Sequence, residues 1–252
     1  MNFLFTVCAR SGSQGVPNKN IIDFFGWPLY LYTISVIDLY RKSHPEHTID
    51  TVINSDADSN YFTQLSNVEF DYSYMHRSQK LADNHIPKLD VIKSIFFKFK
   101  QHKDYDLVID LDVTSPLRTL EQLEKVINKS LTSKSELLFT VVNSRRNPYF
   151  NMVMKKEDHY ERVIDTDINA RQLTPNTYDM NASIYAYKPE ALELKNHLNE
   201  FRSDILLVKD TYVLDIDSME DLEYMKVIAN YLFETDSSYG IVRTNIDQII
   251  QS

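Results

Sequence analysis

Residues 8–28, CARSGSQGVPNKNIIDFFGWP, decide how this chain is read. The 252 residues contain four glycines, and Gly12, Gly15 and Gly26 all fall in this one stretch. A chain so sparing with glycine is expected to place each one where a side chain would strain the backbone or block a close approach. The stretch follows an apolar run, residues 3–9, that reads as a buried strand. It precedes residues 29–40, which carry helical periodicity. It is therefore a long strand-to-helix loop with Arg10, Lys19, several small residues and two prolines. Backbone N–H groups in such a loop can line an anion site, and Arg10 and Lys19 add the charge that phosphate needs. An ordinary loop with glycine turns competes with that reading, and spacing does not decide between them. Spacing does exclude two phosphate loops, because the order is neither GxxxxGK[ST] nor GxGxxG.

The run Ala9-Arg10-Ser11-Gly12-Ser13-Gln14-Gly15-Val16-Pro17-Asn18-Lys19-Asn20, followed by Gly26-Trp27-Pro28-Leu29, resembles a known signature. It is similar to the AR-x-GS-x-G-x-P-x-KN and G-x-PL pattern of the acylneuraminate cytidylyltransferases, the CMP-sialic acid synthetases. In that family the loop wraps CTP. The resemblance implies nucleotide contacts from Ala9, Arg10, Ser11, Gly12, Ser13, Gly15, Lys19 and Asn20, with Arg10 and Lys19 acting on the triphosphate during catalysis. Many members carry a lysine where this chain has Gln14, so one phosphate contact is neutral here or supplied elsewhere.

The rest of the chain bounds the reading. Its length suits one sizeable domain, and 43% hydrophobic with 25% charged residues is ordinary for a globular protein. A net charge of −9 argues against a general nucleic-acid or membrane-surface binder. Cys8 is the single cysteine, which rules out an intramolecular disulfide and suits a reducing compartment. The apolar start lacks a basic region and breaks at Arg10, unlike a signal peptide. No run approaches the ~20 apolar residues of a membrane span. A cytoplasmic location is expected.

Taken in order, residues 29–41 place one helical face on a sheet. Residues 49–54 read as the second strand, ending in Ser55, Asp56 and Asp58, which suit a helix cap better than a ligand site. Residues 70–75 give a third strand and 87–101 an amphipathic helix. Residues 106–111, DLVIDL, read as a strand, with Asp112 at its end. Asp112 either makes a loop hydrogen bond or contacts base or metal. A helix over 120–131 and a strand over 136–142 follow. This alternation predicts an α/β fold with a doubly wound, mostly parallel sheet. The rhythm changes over 144–180, which reads as an extended hairpin or arm. In residues 214–218, Asp215 and Asp217 stand two apart and share one side of an extended segment. They are helix caps or a pair of hard oxygen ligands for Mg²⁺. A helix over 219–232 comes next. Residues 236–252 read as a polar tail with a short amphipathic stretch over 246–250, after a single domain spanning 1–235.

The resemblance carries further expectations: a Rossmann-like nucleotidyltransferase fold, and a 144–180 arm that reaches across a homodimer to the partner's sugar pocket. Arg77, in Arg77-Ser78-Gln79-Lys80-Leu81-Ala82, matches an element that holds the nucleotide. Asp112-Val113 stands where many members have Gln-Pro before Thr114-Ser115-Pro116-Leu117-Arg118, and Asp112 is expected near the nucleotide. Arg171 and Gln172, with Asn181 and Tyr185, match sugar-side elements. An Arg suits the sugar's carboxylate, although Asn181 alone would read as a turn residue before a strand. Asp215 and Asp217 match the metal-binding aspartates, for one or two Mg²⁺ ions. The runs 145–151 and 178–183 look closer to the CMP-legionaminic acid synthetase branch than to the N-acetylneuraminate enzymes. The implied reaction joins CTP to a nonulosonic acid. Rival readings are a Kdo or pseudaminic acid enzyme, or a silent nucleotide-binding regulator on the same fold.

Overall fold

Phe3, Leu4, Phe5, Thr6 and Val7 are all fully buried, so the first strand, β1 (Asn2–Cys8), has no face in water. That is the mark of a central strand in a sheet covered on both sides. The structure is a computed structural model that describes residues 1–12, 15–67, 71–211 and 215–250. After β1 come a two-residue hairpin, β2 (Asp23–Phe24) and β3 (Trp27–Pro28), then α1 (Tyr30–Ser43) and β4 (Thr48–Ser55). A 3₁₀ segment, Ser59–Asn67, leads toward β5 (Ser73–His76), α2 (Gln79–Ala82), α3 (Lys88–Phe99), β6 (Leu107–Leu111), α4 (Leu120–Thr132) and β7 (Leu137–Asn143). The remainder is β8 (Val153–Lys156), β9 (His159–Arg162), β10 (Tyr178–Tyr187), α5 (Pro189–Leu194), β11 (Ser203–Leu207), α6 (Met219–Thr235) and α7 (Ser237–Ile250).

Seven strands form one sheet in the order β11-β7-β10-β6-β1-β4-β5. All neighbours are parallel except β10, which runs antiparallel to both β6 and β7. The expected doubly wound, mostly parallel sheet is what the chain forms. Alternation along β1 sends Phe3, Phe5 and Val7 to a core beneath α1, α4, α6 and α7, and Leu4 to a second core beneath α3 and α5. Because six strands point the same way, their carboxyl ends and the amino end of β10 share one edge. Ligands bind at that edge in open α/β sheets.

Two local features differ from the sequence reading. Residues 236–252, expected as a polar tail, instead contain the 14-residue helix α7. Its Tyr239, Val242, Ile246 and Ile249 enter the main core. Val242 O accepts from the Ser35 hydroxyl at 2.6 Å, and Asn245 Nδ2 donates to Asp38 at 2.9 Å. This explains why α1 is buried around most of its circumference rather than on one face. Glycine at 240 and the buried polar Asn245 interrupt a pattern that is otherwise periodic. The second feature is the β2–β3 turn, where Phe25 (φ 53°) and Gly26 (φ 88°) both have positive φ. Two successive residues of that kind make the type I′ turn that suits a two-residue hairpin.

Residues 144–177 leave the sheet and return to it, with the β8–β9 hairpin at their centre. Arg162 braces this excursion by donating to the carbonyls of Tyr149, Thr166 and Ile168. Among the described residues, no helix is long and apolar enough to cross a membrane.

Candidate active site

A cavity of about 290 Å³ opens at the carboxyl edge of β1, β5 and β6, with Arg10, Lys19, Asn20, Arg77, Asp112 and Asp215 in its walls. Six of the expected residues thus come together from four separate segments. Arg77 is only 6% exposed. Its Nε donates to Asn54 Oδ1 at 2.7 Å and its Nη2 to Asn54 O at 3.2 Å. Arg10 donates to Asn84 Oδ1. Neither guanidinium makes an ion pair among the described residues. A buried cation without a counter-ion is costly, and a ligand anion would relieve that cost. Asn20 is buried and donates to Arg10 O at 2.7 Å, so it fixes the loop while facing the cavity.

The loop is fastened at two points. Asp56 accepts from Ser11 N at 2.7 Å and from the Ser11 hydroxyl at 2.9 Å. Asp56 therefore clasps the loop and does not cap a helix as expected. Ser11 spends both donors on Asp56 and has none left for a phosphate in this arrangement. At the second point, a Cβ on Gly15 would lie 1.8 Å from Asp217 O, so only glycine allows the loop to rest on residue 217. Lys19 completes that contact. Its Nζ donates to Ile216 O at 2.5 Å and to Asp217 Oδ1 at 3.1 Å. Gly12 differs from the expectation for a sparing chain, having open space around it and no positive φ. Ala9 is wholly buried, and its N–H is taken by Asn54 O. Ser13 lies outside the described residues.

Asp112 proves to be both a loop anchor and half of an ion pair. Its Oδ1 accepts from the Thr114 N–H and hydroxyl at 3.1 and 2.9 Å. Its Oδ2 lies 2.6 Å from Lys88 Nζ, which also lies 2.7 Å from the fully buried Asp110. Burial works against the Asp112 carboxylate, but Lys88 and Thr114 outweigh it and bring its pKa down to about 2. Burial likewise works against the Lys88 ammonium, yet the two aspartates hold it well above the ordinary lysine range. Arg118, 1% exposed, donates to the carbonyls of Asp112 and Ser115 and ties the same loop.

Lys88 and Asp112 form the wall between the first cavity and a second one of about 320 Å³. The second is lined chiefly by Leu89, Ile92, Tyr185, Tyr187 and Leu198. The sequence reading missed Lys88 and Asp110, although signals existed. A lysine in the first turn of α3 opposes the helix dipole unless it is paired. A second aspartate within the apolar strand DLVIDL needs a cation.

Asp215 and Asp217 come into contact at the head of α6. Burial first, then the charges of Asp217 and Asp112, hold the Asp215 carboxyl well above the usual carboxylate range, with Lys19 pulling the other way. The helix cap itself is Ser218, in a capping box with Asp221, so the two aspartates are not needed for that task. Two crowded hard-oxygen donors whose mutual repulsion is only partly offset by Lys19 fit a divalent cation.

The sugar-side residues divide. Tyr185 lines the second cavity. Asn181 is 8% exposed and sits in a bulge of β10, where Ala182 has φ 52°. Its Oδ1 accepts from the Thr140 hydroxyl at 2.7 Å, and that hydroxyl accepts from Ile184 N at 3.2 Å. Asn181 thus holds the bulge. Arg171 and Gln172 are exposed on a 3₁₀ turn of the arm and line neither cavity. Arg145 pairs with Asp210 at 2.7 Å.

Comparison with known proteins agrees with this geometry. The protein-family profile described as Cytidylyltransferase matches residues 4–236. The chain is 29% identical over 230 residues to the CMP-N,N'-diacetyllegionaminic acid synthase of Campylobacter jejuni, over 89% of this chain and 94% of that one. It is 27% identical over 230 residues to the post-translational flagellin modification protein B of Campylobacter coli, with the same 89% and 94% coverage. Among solved structures, CMP:2-keto-3-deoxy-manno-octonic acid synthetase complexed with CTP matches with a TM-score of 0.63 at 13% identity, over 92% of this chain and 99% of that one. At that identity the likeness concerns the fold alone.

Proposed function

The chain belongs to the cytidylyltransferase family, and from that premise we propose that it joins CTP to a nonulosonic acid, releasing pyrophosphate and the CMP-sugar. The observation that carries the reading is the cavity in which the guanidiniums of Arg10 and Arg77, without an ion pair among the described residues, meet Lys19 and Asp215. A triphosphate is the ligand whose charge matches such a wall.

In this reading the anomeric 2-hydroxyl of the sugar attacks the α-phosphorus in line, and the bond to the pyrophosphate oxygen breaks. Arg10 and Lys19 hold the triphosphate and stabilise the charge that builds on the leaving pyrophosphate. Asn20 and Arg77 fix the nucleotide end. Asp112, kept ionised by Lys88, accepts hydrogen bonds from ligand donors at the seam of the two cavities. The sugar lies toward the second cavity and Tyr185, and Asn181 supports that side by holding the bulge of β10. Asp215 and Asp217 would hold Mg²⁺, which supplies charge neutralisation to the phosphates when bound.

The arm places Arg171 and Gln172 against a partner's sugar site in a cytoplasmic homodimer. Its exposed apolar side chains support that role: Val153 is 63% exposed, Tyr160 68% and Leu173 71%. The similarity to the legionaminic acid synthase, together with the runs 145–151 and 178–183, favours legionaminic acid as the sugar.

Pyrophosphate release with CTP and Mg²⁺ tests the reading across N-acetylneuraminic, legionaminic, pseudaminic and Kdo acids, with Asp217→Ala as control. Preference for legionaminic acid, lost in the control, is expected. Preference for another of these acids would keep the chemistry and reject the branch. No turnover with any of them would leave a silent nucleotide binder.

A further inference from the structure

The turn from α1 into β4 lies at the amino edge of the sheet, opposite the nucleotide cavity, and carries His44-Pro45-Glu46-His47. Glu46 Oε1 lies 3.3 Å from His44 Nδ1 and 3.5 Å from His47 Nε2. One donor atom from each of the three residues falls within 4.8 Å of the other two. Metal bonds of about 2.0–2.1 Å at a tetrahedral angle separate two donors by roughly 3.3–3.5 Å. Two of the three donor pairs therefore already stand at the spacing of tetrahedral corners, and the third lies within 4.8 Å.

Both rings are also oriented from behind. His44 Nε2 lies 2.9 Å from Glu124 Oε1 on α4, and His47 Nδ1 lies 3.0 Å from the Tyr40 hydroxyl on α1. When the far nitrogen of an imidazole is held in this way, the near nitrogen is presented to a metal. The two rings lie side by side, 5.4 Å between centroids. Glu46 is exposed, which leaves room for water at a fourth position.

We propose that His44, Glu46 and His47 bind a divalent transition-metal ion, with Zn²⁺ the best match to two imidazoles and one carboxylate. The ion would fasten the end of α1 to the start of β4 and, through Glu124, to α4. The rival arrangement is an imidazolium at His44 shared by Glu46 and Glu124 with no metal, and the two differ in what binds. Mg²⁺, which prefers oxygen donors, belongs at Asp215 and Asp217 in the functional reading. The present site does not depend on that reading.

Co²⁺ serves as the probe, because tetrahedral nitrogen ligation gives strong visible absorption and octahedral oxygen ligation a weak one. Co²⁺ and then Zn²⁺ are titrated into the full chain and into the His44→Gln, Glu46→Gln and Asp217→Asn variants, with the fold checked by circular dichroism. The strong band is expected in the parent and in Asp217→Asn, displaced by Zn²⁺. Affinity falls at least tenfold in His44→Gln and in Glu46→Gln. Parent-like affinity in either of those two, absence of the band in the parent, or its loss in Asp217→Asn would overturn the proposal.

Discussion

Replacing Gly15 by alanine tests whether the nucleotide loop must rest on the Asp215–Asp217 segment. The added Cβ would stand 1.8 Å from Asp217 O and 3.0 Å from Asp217 C, both backbone atoms that no side-chain rotation can move aside. Real Cβ contacts stay beyond 3.0 Å, so the two loops must part by at least about 1.2 Å. That movement strains the bonds from Lys19 to Ile216 O and Asp217. It also shifts Asp217 relative to the cavity. A displacement of about 1 Å at reacting groups costs on the order of 10²-fold in rate. The expected outcome for Gly15→Ala is a loss of about that size in kcat/KM for CTP-dependent pyrophosphate release. Thermal stability should fall as well, because Val16 and Ile216 flank the contact and are both fully buried in the main core, so the rates are compared at a temperature where circular dichroism shows each variant folded. Gly12→Ala is the matched control, with nothing within 4 Å of its new methyl group, and it should keep activity within a few-fold. If Gly15→Ala turned over like Gly12→Ala, the close contact with residue 217 would have no part in catalysis and the reasoning would fail.

Other perturbations reach different parts of the molecule. Lys88→Met leaves Asp110 and Asp112 buried without their cation, so chemical denaturation at pH 7 should show a clear loss of stability. Because Asp112 has a folded pKa near 2 against an ordinary 3.8, its pairing contributes about 2 kcal/mol above pH 4. That contribution fades as pH falls through 2, so parent and variant should converge toward acid; a gap that widens there would contradict the pairing. Gly26→Ala forces φ 88° on a residue with a side chain. It should lower the melting temperature by a few degrees, about 1 kcal/mol, with kcat unchanged. Truncation after Asp236 removes α7 and uncovers the core under α1. The product should lose cooperative unfolding by calorimetry, whereas a dispensable tail would leave it intact.

Much of the sheet was legible because strands buried on both faces read as apolar runs and the intervening helices carry a clear stripe. The 2–8, 48–55, 107–111 and 137–143 strands were placed to within a residue or two. The α7 helix was not, because its Gly240 and buried Asn245 look like tail residues until α1 is seen beneath them. Among site residues, Arg10, Lys19 and Asn20 were found through one long motif and Arg77, Asp112 and Asp215 through shorter elements further along the chain, and all six share a cavity. Lys88, Asp110 and Asp56 were not, because their meaning lies in pairings across long sequence separations. Asp56 is 45 residues from Ser11, and Lys88 is 24 from Asp112. A local pattern records the shape of a loop, while the fold alone decides which distant charge meets which.

The reversed direction of β10 has a consequence for how recognition can change. The arm departs from the carboxyl end of β7 and re-enters at the amino end of β10, where Tyr178 pairs with Asn143 and Ser144 N bonds to Thr177 O at 3.1 Å. Its two ends are therefore neighbours on one rung of the ladder. Lengthening the excursion adds only a slowly growing loop-closure cost and leaves the register of every strand untouched. The arm is a cassette: it can be exchanged at residues 144 and 177 for one of another length and, in the proposed function, would alter what is recognised at a distance while the chemistry below it stays in place.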